Sequence, residues 1–189
     1  QGMILGPKGI KMSKSLGNVV SPDDMIRDYG CDSLRMYELF IGPPQQDAAW
    51  DDRGIDGVNR FLRKFWNMCN DQYEGNYPET ADTLRIRHGL INDISQRLGN
   101  FSLNTVVSGF MEYTNKMVAA GNMDRETLRT AAQLISPFAP HIGEELWQRM
   151  GGKDSVFHTE WPEADKEALK EESKEIAVQV NGKLKAKIT

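Results

Sequence analysis

At 189 residues, 39% hydrophobic and with a formal net charge of −4, the chain is long enough to bury a sizeable core and too acidic to bind nucleic acid by bulk charge. It contains no run of about 18 apolar residues that could span a bilayer, and QGMILGPKG lacks the basic-then-apolar pattern of a secretory signal, so a cytoplasmic protein without a membrane partner is expected. Its two cysteines, Cys31 and Cys69, and three histidines, His88, His141 and His158, share no metal-ligand spacing, so no bound metal is expected and the thiols read as reduced and buried.

Met3-Ile4-Leu5 is a short apolar run stopped by Gly6-Pro7 and reads as the end of a buried strand feeding a loop. The loop is GIKMSKSLGN, Gly9 to Asn18, and up to Val20 the only charged side chains are Lys8, Lys11 and Lys14. Ser21-Pro22-Asp23-Asp24 then signals a helix start, with a capping serine, proline in the first turn and acids at the positive end of the dipole. This helix is expected to end near Tyr29-Gly30. Asp32 is placed to cap the next one, in which Leu34, Tyr37 and Ile41 share a face, and Gly42 to Asp52 reads as a hinge or linker.

From Arg53 the pattern is helical. Ile55, Val58, Phe61, Leu62, Phe65, Trp66 and Cys69 recur at three- and four-residue steps, and the polar stretch Asp71 to Glu79 is expected to break the helix. A second helix carries Leu84, Leu90, Ile91, Ile94 and Leu98; a third carries Leu103, Val106, Val107, Phe110 and Val118. A fourth starts near Asp124 and carries Leu128, Ala131, Ala132 and Ile135. Pro137 to Pro140 interrupts it, and a last helix with Ile142, Leu146, Trp147 and Met150 closes at Gly151-Gly152. The fold class is mainly α, an antiparallel helical bundle over about residues 53 to 150. A surface helix is expected over Lys166 to Glu175, and Val178 to Ile188 alternates around Asn181-Gly182 as a type I′ hairpin.

Two lysines three apart in a glycine-flanked loop can place two ammonium groups near one polyphosphate, with Ser13 and Ser15 adding hydroxyl donors. Such a loop stabilises charge that develops as pyrophosphate leaves. The bland alternative is a solvated basic loop. The string GxxxxGK[ST] of a phosphate-binding P-loop is absent.

The full string Lys11-Met12-Ser13-Lys14-Ser15 is similar to the signature loop of class I aminoacyl-tRNA synthetases, and Leu16-Gly17-Asn18 fits their leucine, isoleucine, valine and methionine branch. DYGCDSLRMYELFIGPP, AWDDRGIDGVNRFLRKFWN, SPFAPHIGEELWQRMGG and VQVNGKLKAKIT resemble successive stretches of the leucyl enzymes within that family. The resemblance implies an organisation. Residues 1–44 would end a Rossmann-type catalytic domain, 45–152 form a helical anticodon-binding domain, 153–175 connect, and 176–189 begin a C-terminal domain. It also implies a reaction: leucine and ATP, with its Mg2+, give leucyl-adenylate, and the leucyl group passes to tRNA(Leu). Lys11 and Lys14 would be catalytic, Lys11 to Ser15 (with Met12 and Ser13) the ATP-binding loop, and this segment alone inactive. Leu16 fits valyl and isoleucyl enzymes as well, so these and the methionyl enzyme stay open, as does a non-catalytic RNA-binding helical module.

Arg60, Arg63 and Lys64, on the helix of Phe61, Phe65 and Trp66, are candidates for tRNA phosphate contacts, against the alternative of a solvated polar face. Trp50, Trp66 and Trp147 read as core. Pro140-His141-Ile142-Gly143 mimics the start of the HIGH motif of the same family, but Glu144 stands in the fourth place and Pro140 marks a helix start, so His141 reads as structural.

Overall fold

The computed structural model describes residues 2–169, 176–180 and 183–188. Among these, the chain runs β1 (Ile4–Leu5), α1 (Pro22–Tyr29), α2 (Cys31–Phe40), β2 (Ala48–Ala49), α3 (Asp52–Glu74), α4 (Ala81–Gly99), α5 (Leu103–Ala120), α6 (Arg125–Ile135), α7 (Pro140–Arg149), β3 (Ile176–Val180) and β4 (Lys183–Ile188). The protein is mainly α, as its periodicity predicts.

The core lies where α3 to α7 bring their apolar stripes together. Ile55, Val58 and Phe65 of α3, Leu90 and Ile94 of α4, Phe110 of α5, Leu128 and Ile135 of α6 and Leu146 of α7 are all essentially fully buried. Phe110 meets Phe138 edge-on, with ring centroids 5.7 Å apart. α2 packs on this core through Leu34, Met36 and Tyr37.

Helix ends are fixed by local polar chemistry. Thr80 and Thr83 cap each other at the start of α4. Asp124 caps α6, its Oδ1 accepting from the Thr127 N–H at 2.9 Å. Arg87 of α4 lies 3.4 Å from the same carboxylate and also pairs with Glu79. Burial pushes the Asp124 carboxyl upward, but hydrogen bonds from Thr83 and Thr127 and the Arg87 charge outweigh it, leaving the group below the usual carboxylate range.

Several expectations are corrected. Ile4 is exposed and Leu5 half-buried, so the first strand is not buried. The Ser21 hydroxyl makes no cap, and Pro22 with Asp23 and Asp24 is what favours the start of α1. α3 continues through Asp71 to Glu74 because its polar residues face outward while Met68 and Cys69 stay in the core. Val118 is exposed near the end of α5, and Trp66 and Trp147 are half-buried, each beneath an arginine. Cys69 is buried and Cys31 only half-buried.

The Gly42–Asp52 stretch is not a free linker. β2 pairs in parallel with β1, Ile4 beside Ala48 and Leu5 beside Ala49. Trp50 is buried against Tyr37, with ring centroids 4.8 Å apart. The Tyr37 hydroxyl donates to the Asp51 carbonyl and accepts from the Asp51 N–H. Near the end, β3 and β4 pair antiparallel, with a register shift at Val178/Gln179. The expected turn at Asn181-Gly182, and residues 170–175 of the expected surface helix, lie outside the described residues; residues 166–169 form turns.

Candidate functional site

The lysine loop begins with a tight reversal. The Gly6 N–H donates to the Ile10 carbonyl at 2.8 Å, and Lys8 and Gly9 take positive φ of 66° and 72°. The chain then extends through Ile10 and Ser13 and turns again over Lys14–Leu16. Gly17, at φ 62°, ends that turn, a conformation that costs glycine nothing.

Met12 turns in, lining a hollow with Ile4, Val20, Met25, Leu34 and Trp50. Lys11 and Lys14 are exposed, and neither makes an ion pair among the described residues. Both predicted cations are thus exposed on one loop, three residues apart. Ser13 and Ser15 are engaged within it: Ser13 Oγ accepts from the Leu16 N–H at 3.2 Å and lies 3.0 Å from Ser15 Oγ. Asn18 underpins the loop, its Oδ1 accepting from the Ser13 N–H at 2.8 Å and its Nδ2 donating to the Lys11 carbonyl at 3.2 Å.

Arg60, Arg63 and Lys64 are all exposed on α3. Lys64 Nζ donates to Asn115 Oδ1 of α5 at 2.6 Å, while Arg60 and Arg63 make no ion pair among the described residues. Arg63 borders an open hollow of about 620 Å³ at the junction of α1, α2, α3 and α7, lined also by Tyr29, Asn59, Trp66 and His141. Sequence reasoning missed Arg149 of α7, whose guanidinium carbon sits 4.9 Å from the Trp66 ring centroid on α3 while its Nε pairs with Glu145 at 2.7 Å. No spacing rule links residues 66 and 149; only the packed bundle does.

His141 does not join a site. Asp32, 6% exposed, accepts from the His141 N–H at 3.3 Å and the Ile142 N–H at 2.8 Å, and His141 Nδ1 lies 2.8 Å from its Oδ1. Asp32 therefore caps α7 and not its own helix, tying α2 to the bundle across 109 residues. Arg35 adds a bond to the Pro137 carbonyl at 3.2 Å. Gly143, the last residue of the HIGH-like string, is a packing residue: a Cβ there would lie 2.6 Å from Ser136 Cα.

The features form one pattern: an exposed lysine loop beside a short parallel strand pair, joined through two helices to a bundle that carries Arg60, Arg63 and Lys64 exposed on α3. Comparison with known proteins gives this pattern its class. Residues 82–189, more than half of the chain, match the family model of the anticodon-binding domain of tRNA ligase, and the chain belongs to that family. Residues 1–51 match the model of class I tRNA synthetases for isoleucine, leucine, methionine and valine.

The relatives narrow the class. The leucine–tRNA ligases of Fervidobacterium nodosum and Pseudothermotoga lettingae are 44% and 46% identical over the whole of this chain. The chain spans about a quarter, 25%, of the length of each. Among solved structures, Agrobacterium radiobacter K84 LeuRS in a ternary complex with tRNA and LeuAMS matches all of this chain and 26% of its own, with a TM-score of 0.84 and 27% identity. Mycobacterium tuberculosis methionyl-tRNA synthetase in complex with methionyl-adenylate shares the fold over 74% of this chain, with a TM-score of 0.61 and 22% identity. Among the described residues, no helix is long and apolar enough to cross a membrane.

Proposed function

We propose that this chain is part of a leucine–tRNA ligase and supplies its ATP-phosphate loop and a tRNA-binding helical domain. Residues 1–44 carry the loop and its supporting helices, 45–152 the bundle, 153–175 a connector, and 176–189 the start of a further small domain. The supporting observation is 44–46% identity with leucine–tRNA ligases over the whole of the chain, the loop and the bundle both included.

In this reading the carboxylate of leucine attacks the α-phosphorus of ATP. A carbonyl-side C–O–P linkage forms, the α–β phosphoanhydride bond breaks, and pyrophosphate leaves. Lys11 and Lys14 stabilise the charge gathering on the departing phosphates, and neither gives up a proton or forms a bond. Their exposure, and the lack of acidic partners among the described residues, suit the task, since an ammonium already paired would have to break that pair first. Mg2+ arrives with the ATP as part of the substrate. The leucyl group then passes to tRNA(Leu), whose phosphates meet Arg60, Arg63 and Lys64 on α3.

The experiment is pyrophosphate exchange by the longer protein that carries this chain, with leucine, isoleucine, valine and methionine each supplied alone. Exchange with leucine only is the expected result. Exchange with another of the four keeps the mechanism and overturns the specificity; exchange with none overturns the enzyme and leaves an RNA-binding module. Lys14→Ala should cost on the order of 2–4 kcal/mol of transition-state stabilisation, the scale of one lost preorganised donor.

A further inference from the structure

Lys11 and Lys14 are the groups on which the proposed chemistry falls, yet among the described residues no hydrogen bond or ion pair holds either side chain. Their side chains are exposed, so their placement depends wholly on the backbone between them. That backbone is short of its own bonds. From Lys11 to Ser13 it takes part in no strand pair among the described residues, and β1 ends at Leu5.

One side chain takes the missing partner's place. The Lys11 carbonyl and the Ser13 N–H are two residues apart, the spacing at which an extended chain presents an acceptor and a donor on the same side. In a parallel ladder both would pair with a single residue of the neighbouring strand. Here the Asn18 amide engages both, through Nδ2 at 3.2 Å and Oδ1 at 2.8 Å. An asparagine amide carries one acceptor and one donor group side by side, which is the complement required. The two bonds flank Met12 and fix the peptide planes on either side of it. Met12 is thereby turned toward the apolar hollow, while Lys11 before it and Lys14 beyond Ser13 are exposed.

Asn18 is itself held. Gly17 at φ 62° swings the chain back beneath the loop, and Gly6 packs so closely that a Cβ on it would lie 3.1 Å from Asn18 Nδ2 and 3.0 Å from the Asn18 carbonyl oxygen. Both of these glycines therefore serve the same amide. The strand end, the reversal and the loop converge on one side chain.

We infer that Asn18 is a positioning residue for the adenylate-forming step: its side-chain amide holds the Lys11–Ser13 backbone in the extended form that presents Lys11 and Lys14 to the phosphates of ATP. This rests on the reading of the loop as an ATP-phosphate site. It assigns Asn18 no contact with substrate; its effect passes through the lysines.

The test is a double-mutant cycle in pyrophosphate exchange on the longer protein, with Asn18→Ala, Lys14→Ala and the pair, supported by Asn18→Asp and by thermal melts. Asn18→Ala should lower kcat for exchange by roughly 10- to 30-fold, the size of two lost loop hydrogen bonds, with KM for leucine unchanged and Tm within about 2 °C. Asn18→Asp keeps the acceptor for Ser13 but sets a carboxylate oxygen against the Lys11 carbonyl, so it should fall as far as alanine or further. The pair should lose clearly less than the product of the two single losses, because the part of the Asn18 effect that passes through Lys14 disappears with that side chain and only the part that passes through Lys11 remains.

If Asn18→Ala stays within twofold of the parent while Lys14→Ala is impaired, the positioning role is wrong and the loop reading stands. If the two losses multiply in the pair, Asn18 acts by some other route and the inference fails. If Lys14→Ala is itself unimpaired, the ATP-loop reading fails and the role of Asn18 falls with it.

Discussion

Replacing Asp32 by alanine tests how the loop-bearing segment is fixed to the bundle. The carboxylate is 6% exposed and receives three hydrogen-bonding groups from the first turn of α7. Two of these are backbone N–H groups that have no intrahelical partner. The Ile142 bond, at 2.8 Å, has full strength for a charged acceptor, about 1.5–3 kcal/mol; the His141 N–H bond, at 3.3 Å, is long and adds less. The His141 side chain is 72% exposed, so water replaces Asp32 as its partner at small cost. The net loss for Asp32→Ala should be about 2–3 kcal/mol, read as a lowered midpoint in urea unfolding followed by helix circular dichroism. Asp32→Asn keeps one acceptor oxygen and should lose about half as much. His141→Ala should stay within about 0.5 kcal/mol of the parent. If His141→Ala proves as damaging as Asp32→Ala, the backbone-capping account is wrong and the ring contact is what joins α2 to α7.

Other consequences follow from the same packing. Gly143→Ala should destabilise by about 1–3 kcal/mol, because its Cβ would lie 2.6 Å from Ser136 Cα and backbone there cannot move aside; a melt that is unchanged would contradict the close approach of α6 and α7. The Asp124 carboxyl lies below the usual carboxylate range when folded, so its contribution to stability is fully present above about pH 4 and is lost as pH falls through its lower folded value. Asp124→Asn should flatten that part of an acid titration of the unfolding midpoint while lowering stability at neutral pH. Removing the cations Arg60, Arg63 and Lys64 together should weaken tRNA binding and reduce the slope of log K against log salt by up to about 3; an unchanged slope would mean that the phosphates lie elsewhere.

The sequence made helices α3 to α7 plain because burial repeats along them at fixed steps. Ile55, Val58, Phe61, Leu62 and Phe65 are read from spacing alone and all are buried. Where the boundary depended on polar residues the reading slipped. Asp71 looks like a break, yet α3 carries it on an outward face. Ser21 looks like a cap, but its hydroxyl bonds to nothing in the helix. Periodicity reports which side of an element is dry; it does not report whether a given hydroxyl or carboxylate turns toward the nearest N–H or a distant one.

Asp32 shows why. An aspartate beside a helix start is a cap by every local rule, and it is a cap here, but for a helix beginning more than a hundred residues later. The same limit governs the candidate site. Lys11 and Lys14 can be nominated from the sequence because the chemistry proposed for them needs only exposure and proximity along the chain. The cation Arg149 beside Trp66 cannot be, because their meeting requires α7 to lie against α3. Asn18 falls between these cases. It lies five residues from Ser13 and seven from Lys11, near enough to have been found, but an asparagine after a glycine reads as part of a turn. Its role emerges only when two backbone groups, unpaired in any sheet, are both seen to need a partner. Accounting for the loop's hydrogen bonds is therefore what separates the residues that would act on phosphate from the residue that keeps them in place.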